Sequence, residues 1–412
     1  MAIALWGNVY FDDRFAGILQ RDPGGRCVFA YDATYLNDRR SMPLAHTLPL
    51  ADRPFIQEGG LHPFFDNLVA EGWLRNAQAR ALGVNPDDRL ALLLGFGRDL
   101  AGAVSVIDPE PRGTLRLDAA DAVASAALRS RGSLSGVQRK LTVVKEGRAF
   151  RPAGPDEIST HFAKLPSGQL TDIVELEFLT TLATTALLPG NTVVDLEIGR
   201  VRGIDQPALI VRRFDRTPSG RKLHFEEFSQ LLGRRAGDDK YEGAYEEMGR
   251  FIQETPGCLP AEADRLYRRV LACLLVGNTD AHLKNFAMFH GRDGLRLTPA
   301  YDLVAPSVYP EFRTIALAVG GAADLGLGSL KPKHLVALGR GFGLNDAAVL
   351  AAVEDLGKAL PAAVAALEAA SQGTRRLRSD LIAIMEKRWK GSFASTGRLI
   401  SKKRGSGGRR RS

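Results

Sequence analysis

The stretch VGNTDAHLKNFAMF, residues 276–289, places four polar side chains of different chemistry between apolar segments. They are the carboxylate of Asp280, the imidazole of His282, the ammonium group of Lys284 and the amide of Asn285. Polar groups between buried segments must satisfy one another or bind a ligand, because an unpaired buried polar group costs free energy. The stretch therefore predicts a functional site.

The residues that follow predict a β-hairpin. Two strand-like runs flank HGRDG, with the turn at Gly291–Gly294. A helix is expected to end near Gly277, so the chain would leave along one strand and return along the other. This path would bring Asp302 back to Asp280, although 22 positions separate them. We expect Asp280, Asn285 and Asp302 to form one cluster of oxygen-bearing side chains.

Phosphoryl transfer requires such a cluster. One carboxylate orients and deprotonates the attacking hydroxyl, while a second carboxylate and an amide oxygen hold Mg²⁺ against nucleotide phosphates. Protein kinases place an asparagine five positions after the catalytic aspartate, and Asp280 and Asn285 have this spacing. Asp302, in YDLV, occupies the place of the metal-binding acid. Lys284 could neutralise charge on the transferred phosphate.

A kinase also needs a cation for the phosphates. Lys164, in the predicted strand THFAKLP, lies between apolar neighbours and is expected to reach them. Glu177, in the predicted helix DIVELEFLTTLATTALL, is a candidate ion-pair partner, and Glu175 on another helical face is the alternative. Singly, such residues more often form caps, turns or solvated faces. Their combination and order favour a kinase.

Composition bounds the class of protein. The chain has 412 residues and 45% hydrophobic content, enough for more than one core. No apolar run approaches the roughly 18 residues that span a bilayer, and the N-terminus lacks the basic start of a secretory signal. We expect a cytoplasmic protein. Cys27, Cys258 and Cys273 lack metal-ligand spacing and are expected to be buried apolar thiols.

The basic charge is concentrated at the C-terminus. The net charge is +8, but seven Lys and Arg residues and no acid lie in residues 397–412, so the rest of the chain carries +1. This tail is expected to be disordered. It would either contact phosphate backbones or remain a solvated segment.

The pattern of predicted strands, helices and turns divides the chain into four segments. Residues 1–110 form an α/β subdomain that ends near the Pro/Gly-rich PEPRG, and in it CVFAYDATYL is a strand with a turn. Residues 111–223 form a second mixed unit, in which the polar, glycine-broken GSLSGVQRK precedes a hairpin. Residues 224–396 are mainly helical, beginning with HFEEFSQLLG, and residues 397–412 are the tail.

The sequence resembles the HipA family, the bacterial serine/threonine kinase toxins of toxin–antitoxin modules. The resemblance rests on SLSGVQRK, THFAKLP, VRRFDR, GNTDAHLKNF and PAYDLV, in that order. It implies an α+β, two-lobed protein-kinase-like fold, with an extra N-terminal subdomain, a mixed α/β N-terminal lobe and an all-α C-terminal lobe. It also implies ATP and Mg²⁺ as cofactors.

The resemblance implies a role at each matching position. Asp280 resembles the catalytic base, Asn285 and Asp302 the Mg²⁺ ligands, and Lys164 the phosphate-binding strand lysine. The remaining implied nucleotide contacts are Gly136, Val137, Gln138 and Lys140 in the phosphate loop, Arg212 and Phe214 in the hinge, and His282 and Lys284. The family often has an acid where Arg212 stands, and the hinge contact is expected to run through the main chain. His282 could instead bridge the loop that carries Asp280.

The resemblance also implies regulation. Ser133 matches the family's autophosphorylation serine, and Ser135 offers a second hydroxyl. A phosphate there adds nearly two negative charges to a loop that must approach ATP, so autophosphorylation is expected to inactivate the kinase. Which serine is used stays open, and one or both could simply form the turn.

The implied partners are a protein substrate and an antitoxin. The substrate would be an aminoacyl-tRNA synthetase, the glutamyl enzyme foremost, with growth arrest and persistence as the outcome. A HipB-like helix-turn-helix antitoxin would bind the toxin and link it to operator DNA; no membrane is involved. Three alternatives remain: a small-molecule phosphotransferase with the same site, a catalytically minor co-repressor that acts with the antitoxin, and autophosphorylation without another target.

Overall fold

The computed structural model describes residues 5–110, 115–116, 121–131 and 138–400. In these residues α-helices are combined with antiparallel β-strands. The chain divides into two compact units, of which unit 1 comprises Met1–Val174 and Asp195–Lys240 and unit 2 comprises Glu175–Val194 and Tyr241–Ser412.

The first sheet of unit 1 has five strands in the order β4-β3-β2-β1-β5. Side chains along β1 alternate between buried and half-buried positions, because successive residues of a strand point to opposite faces. The buried face and four helices share a core that includes Val9, Phe29 and Leu93. The elements are β1 (Trp6–Phe11), β2 (Arg14–Arg21), β3 (Cys27–Tyr31), α1 (Ala33–Asn37), β4 (Phe55–Gln57), α2 (Pro63–Asp66), α3 (Gly72–Leu82), α4 (Arg89–Phe96) and β5 (Val104–Ile107).

The second sheet of unit 1 also has five strands, in the order β7-β6-β8-β10-β9. One face is apolar and packs Leu141, Ala163 and Ile210 with Trp73 and Ala127. Two short elements, β11 and α7, complete the unit. The elements are α5 (Ala122–Arg129), β6 (Lys140–Glu146), β7 (Ala149–Pro152), β8 (His161–Lys164), α6 (Ile173–Leu187, mostly in unit 2), β9 (Leu196–Arg200), β10 (Pro207–Arg212), β11 (Phe225–Glu227) and α7 (Phe228–Leu231).

Unit 2 is mainly helical and contains one hairpin. Its α9 begins with a proline in the first turn and is buried along most of its length, so it runs through the core of the unit. After α12 a π-helix spans Trp389–Phe393. The elements are α8 (Tyr245–Glu254), α9 (Pro260–Val276), β12 (Ala287–Gly291), β13 (Gly294–Leu297), α10 (Pro332–Gly341), α11 (Asp346–Ala369) and α12 (Arg375–Arg388).

Two predicted elements were wrong. HFEEFSQLLG is not one helix, because it contains strand β11 and the four-residue α7. Gln230 Oε1 accepts the Glu227 N–H at 3.0 Å, so the helix starts at this cap rather than at His224. CVFAYDATYL continues beyond its strand as α1, because the Asp32 side chain accepts hydrogen bonds from the N–H groups of Thr34 and Tyr35 and caps a helix.

The helices of the described residues were searched for membrane-spanning candidates, and none is long and apolar enough to cross a bilayer. Of the three cysteines, Cys27 and Cys273 are buried and Cys258 is half-buried, and all three are free thiols. Burial raises the pKa of the Cys273 thiol to about 12. The prediction of buried apolar thiols is therefore confirmed for Cys27 and Cys273, whereas Cys258 is less buried than predicted.

Candidate functional site

The segment that carries Asp280, residues 277–285, is called here the Asp280 loop. It begins where α9 ends at Gly277, whose φ of 85° lies in the left-handed region that favours glycine. A Cβ atom at this position would also collide with the Ser307 side chain. Gly277 therefore ends the helix and directs the chain into the loop.

Hydrogen bonds hold the loop in one conformation. The Asp280 N–H donates to Asn278 Oδ1 at 3.1 Å. The His282 N–H lies 2.8 Å from the Asp280 carbonyl oxygen and 3.2 Å from Asn285 Oδ1. The Asn285 N–H returns a bond to the His282 carbonyl at 2.9 Å. Asp280, His282 and Asn285 thus belong to one hydrogen-bonded turn, and Leu283–Asn285 form a short 3-10 helix within it.

The hairpin returns the chain to this loop. Strands β12 and β13 pair from Met288 with Leu297 to Gly291 with Gly294. Asn285, just before the hairpin, donates through Nδ2 to Oδ2 of Asp302, which follows the hairpin, at 2.9 Å. Asp302 has φ 54°, a left-handed conformation that is uncommon outside glycine and is often found at functional sites. Asn285 and Asp302, predicted to meet, are therefore in direct contact.

The donor set at this contact fits Mg²⁺. Asn285 Oδ1 accepts one N–H and keeps a second lone pair, and Asp302 contributes a carboxylate, the ligand type that Mg²⁺ prefers. In the described residues no three His, Cys, Asp or Glu side chains form a metal-binding group. An ion held by Asn285 and Asp302 would share these two protein ligands with water and phosphate oxygens, as Mg²⁺ at nucleotide sites does.

Two tyrosines that the sequence analysis missed support the loop. The Tyr241 hydroxyl donates to Asp280 Oδ1 at 3.0 Å, and its ring meets the His282 ring edge to face at 5.0 Å. The Tyr245 hydroxyl donates to the Ala281 carbonyl at 2.8 Å. Burial, followed by the neighbouring Cys273 and Asp280, raises the pKa of Tyr245 well above its usual value, so this phenol stays a donor. No motif spacing connects either tyrosine with Asp280.

The other polar residues of the loop are buried. His282 is 8% exposed and Lys284 is 4% exposed. The Tyr301 hydroxyl donates to the Lys284 carbonyl at 2.7 Å, which ties the loop to the segment after the hairpin. Glu177 is also buried, in α6, whereas Glu175 is half-buried. Because a buried carboxylate needs compensation, burial favours Glu177 over Glu175 as the helix acid of an ion pair.

In unit 1, two lysines lie side by side on the second sheet. Lys140 in β6 and Lys164 in β8 are direct partners in the antiparallel register, and Leu209 in β10 is the next partner of Lys164. Direct partners point to the same face, which is opposite to the face packed by Leu141 and Ala163. The side chains of Lys140 and Lys164 therefore extend from the same face of the second sheet.

The described part of the predicted phosphate loop is anchored by Gln138. Its Nε2 donates to the Leu165 carbonyl at 2.8 Å, and its own carbonyl accepts the Trp73 indole N–H at 3.2 Å. These bonds fix the end of the loop two residues before Lys140. The other predicted loop residues, Ser133, Ser135, Gly136 and Val137, lie outside the described residues.

Two main-chain N–H groups of the predicted hinge VRRFDR already donate hydrogen bonds within the protein, so they are not the groups that would bind adenine. The Arg212 N–H donates to the Asp195 carbonyl at 2.9 Å, and the Arg213 N–H donates to the Thr160 carbonyl at 3.0 Å. The exposed Arg212 side chain lies 3.5 Å from Asp195. Hinge contacts to a base would therefore use carbonyl oxygens or the main chain of Phe214.

The second half of VRRFDR forms a buried charge network with a loop residue of the first subdomain. Arg213 bonds Asp99 at 3.2 Å and Asp215 at 2.8 Å, and Arg216 bonds both acids at 2.8 Å. Burial alone would raise the pKa of Asp99, but the guanidinium groups of Arg213 and Arg216 hold it at about 2. The motif therefore also serves stability, because it connects the two sheets of unit 1.

Asp99→Asn is expected to lower the free energy of unfolding by about 3–5 kcal/mol, because it leaves two buried guanidinium groups with one carboxylate. Chemical denaturation monitored by circular dichroism would measure the loss. The matched control is Asp156→Asn, which removes an exposed ion pair with Arg98 and should cost less than about 1 kcal/mol. Equal losses in the two variants would show that the network adds nothing beyond a surface ion pair.

Comparison with known proteins gives consistent similarities. The HipA-like C-terminal domain matches residues 132–364, and the HipA N-terminal domain matches residues 7–107. The protein Y4dM of Sinorhizobium fredii, whose name gives a provisional kinase assignment, is 34% identical over 70% of this chain and 74% of its own. The serine/threonine-protein kinase toxin HipA of Shewanella oneidensis is 27% identical over 82% of this chain and 84% of its own.

A solved structure is similar over nearly the whole chain. It is a chain of the complex of Shewanella oneidensis HipA and HipB with their operator DNA, at a TM-score of 0.77 and 22% identity, covering 95% of this chain and 99% of that one. At this level of identity the similarity concerns the fold, a mixed α+β arrangement.

Proposed function

This chain belongs to the HipA family of kinases, and on that premise we propose that it is an ATP- and Mg²⁺-dependent serine/threonine protein kinase. It acts as the toxin of a HipBA-like module. The observation that carries the proposal is the hydrogen bond to Asp302 from Asn285, the last residue of the loop that holds Asp280. One candidate base and two candidate metal ligands are thus held by one loop and the end of one hairpin.

The proposed reaction transfers the γ-phosphoryl group of ATP to a serine or threonine hydroxyl. Asp280 accepts the hydroxyl proton as the oxygen forms a bond to the γ-phosphorus, and the bond from that phosphorus to the β-phosphate bridging oxygen breaks and releases ADP. Asn285 and Asp302 would hold Mg²⁺, which when bound neutralises charge on the phosphate oxygens. Lys140, Lys164 and Lys284 supply further positive charge.

The adenine and loop contacts are assigned by the same resemblance. Arg212 and Phe214 form the hinge, and His282 contacts the nucleotide. Gly136, Val137 and Gln138 form the phosphate loop. Phosphorylation of Ser133 or Ser135, which precede these residues in sequence, inactivates the kinase, because a doubly negative group is repelled from ATP. The ion pair between Lys164 and Glu177 stays a prediction.

We also propose a biological setting and a domain organisation for the chain. The substrate is an aminoacyl-tRNA synthetase, with the glutamyl enzyme first, and a HipB-like antitoxin links the chain to operator DNA in the cytoplasm. The fold is a two-lobed kinase-like one: residues 1–110 form an N-terminal subdomain, 111–223 an N-lobe-like subdomain and 224–396 a helical C-lobe. Residues 397–412 form the basic tail.

Incubation of the purified chain with γ-labelled ATP, Mg²⁺ and a cell extract tests the proposal. Label on serine or threonine of an extract protein is the expected result. Label only in small molecules would support a small-molecule phosphotransferase, and label only on the chain itself would support autophosphorylation alone. No label, together with operator binding by an antitoxin complex, would favour the co-repressor. Each of these last three results contradicts the proposed trans-acting kinase.

Lys164→Met is expected to lower kcat/KM for ATP by about 10–100-fold, because a hydrogen bond to a charged group contributes roughly 1.5–3 kcal/mol. Initial rates at varied ATP would measure it. Lys358→Met, which changes an exposed lysine of α11 that pairs with Asp355, is the control and should match the parent. If the Lys164→Met variant had the parental kcat/KM for ATP, Lys164 would not be a phosphate-binding residue.

A further inference from the structure

The Tyr241 hydroxyl is bonded to the side chain proposed as the catalytic base. It donates to Asp280 Oδ1 at 3.0 Å. A carboxylate has two oxygens, so this bond occupies one of them and sets the orientation of the other, Oδ2. The proton of an attacking hydroxyl must reach one of these two atoms within about 2.6–3.2 Å. The rotation of the Asp280 carboxylate therefore bears directly on the reaction.

Core packing does not account for the position of Tyr241. The residue is 41% exposed, so its phenol could bond water at little cost. Its ring instead meets the His282 ring at 5.0 Å with an interplanar angle of 85°. The contact fixes the ring while the hydroxyl reaches Asp280. Tyr241 thus contacts two side chains of the Asp280 loop, one through its ring and one through its hydroxyl.

The main chain of Asp280 is fixed independently. Its N–H donates to Asn278 Oδ1, and its carbonyl accepts the His282 N–H. With the backbone held, the remaining freedom of Asp280 lies in its side-chain torsions. The hydrogen bond from the Tyr241 hydroxyl to Oδ1 restrains these torsions directly.

We propose that Tyr241 is a positioning residue, which holds Asp280 Oδ1 so that Oδ2 faces the acceptor hydroxyl. The inference rests on the proposed function, since it needs Asp280 to act as the base. Tyr241 would act on the phosphoryl-transfer step, because its hydroxyl bonds the side chain of the proposed base. Loss of the hydroxyl should therefore lower kcat and leave the KM for ATP unchanged.

Tyr241→Phe tests this directly, because it removes the hydroxyl and keeps the ring against His282. With γ-labelled ATP and a cell extract as the acceptor pool, the initial rate at saturating ATP is expected to fall about tenfold, as for loss of one hydrogen bond to a charged group. The KM for ATP and the thermal midpoint should equal those of the parent. Tyr241→Ala should be slower still, because it also removes the ring contact.

The matched control is Tyr10→Phe, since Tyr10 is a tyrosine of β1 whose ring meets Phe15 edge to face at 5.8 Å. It should match the parent in rate. A Tyr241→Phe rate equal to the parent would overturn the inference, and so would a faster rate, which would make Tyr241 an obstacle to the acceptor. A parent that labels no protein would instead overturn the proposed function itself, so the two failures are distinguishable.

Discussion

Asp280→Asn is expected to lower the rate of protein phosphorylation by about 10²–10⁴-fold, the contribution typical of a positioned general base. The amide keeps the size of the side chain and can still accept the Tyr241 hydrogen bond, but it cannot take up the proton of the attacking hydroxyl. The loss should appear in kcat, measured with γ-labelled ATP at saturation. The KM for ATP should change little, because Asp280 is assigned to the acceptor rather than to the nucleotide.

The matched control is Asp293→Asn, at the turn of the hairpin between β12 and β13. It makes the same chemical change nearby in sequence and should retain the parental rate. Phosphopeptide mapping of both proteins after expression adds a second readout. Phosphate on Ser133 or Ser135 in the parent and in Asp293→Asn, but not in Asp280→Asn, is expected. Equal phosphate in all three proteins would show that Asp280 is not the base.

Asp302→Asn is expected to raise the Mg²⁺ concentration needed for half-maximal activity by at least about tenfold, with a lower maximal rate. The reason is that Mg²⁺ prefers charged oxygen ligands, and the variant replaces a carboxylate by a neutral amide. The hydrogen bond that the side-chain amide of Asn285 donates to Oδ2 of residue 302 would also be weakened. A titration of activity with Mg²⁺ at fixed ATP would measure both effects.

Asp324→Asn is the matched control, because it makes the same substitution at a residue that also has a left-handed backbone conformation. Asp324 is an exposed aspartate with φ 48°, close to the φ of Asp302. Any strain caused by asparagine in the left-handed region is therefore present in both variants, whereas Asp302 in addition accepts a hydrogen bond from Asn285 of the Asp280 loop. If the two variants had the same Mg²⁺ dependence as the parent, Asp302 would not be a metal ligand.

The core of the candidate site could be predicted because it is local in sequence. A helix that ends at a glycine, a loop and a hairpin with a glycine turn are all encoded by short-range signals. Antiparallel pairing then requires the end of β13 to lie near the start of β12, so Asp302 returns to Asn285. The contact between these residues therefore follows from the sequence, even though the pair is 17 positions apart.

The ion-pair network around Asp99 could not be predicted, because its partners are distant in sequence. In addition, the motif VRRFDR, which contains Arg213, Asp215 and Arg216, was interpreted as a hinge. VRRFDR resembles a hinge, and nothing in its spacing shows that Arg213 and Arg216 point into the protein. Asp99 lies 114 positions before Arg213, and no pattern joins them. Long-range pairing of this kind depends on how the two sheets of unit 1 pack.

Tyr241 was missed for a related reason. It follows two aspartates and a lysine in DDKY, a polar context that is typical of an exposed turn. Its hydroxyl is 39 positions away from Asp280. The error at HFEEFSQLLG has a local cause, since its apolar spacing fits a helix while the first residues pair as a strand and the helix is capped only at Glu227.

The most direct test of the central claim is a crystal structure of this chain with Mg²⁺ and a non-hydrolysable ATP analogue. The account predicts Mg²⁺ at about 2.0–2.1 Å from Asn285 Oδ1 and from an oxygen of Asp302, and bonded to phosphate oxygens. Asp280 should lie beside the γ-phosphate without binding the ion. A Mg²⁺–nucleotide complex bound through other residues, with Asp302 turned away from the ion, would contradict the account.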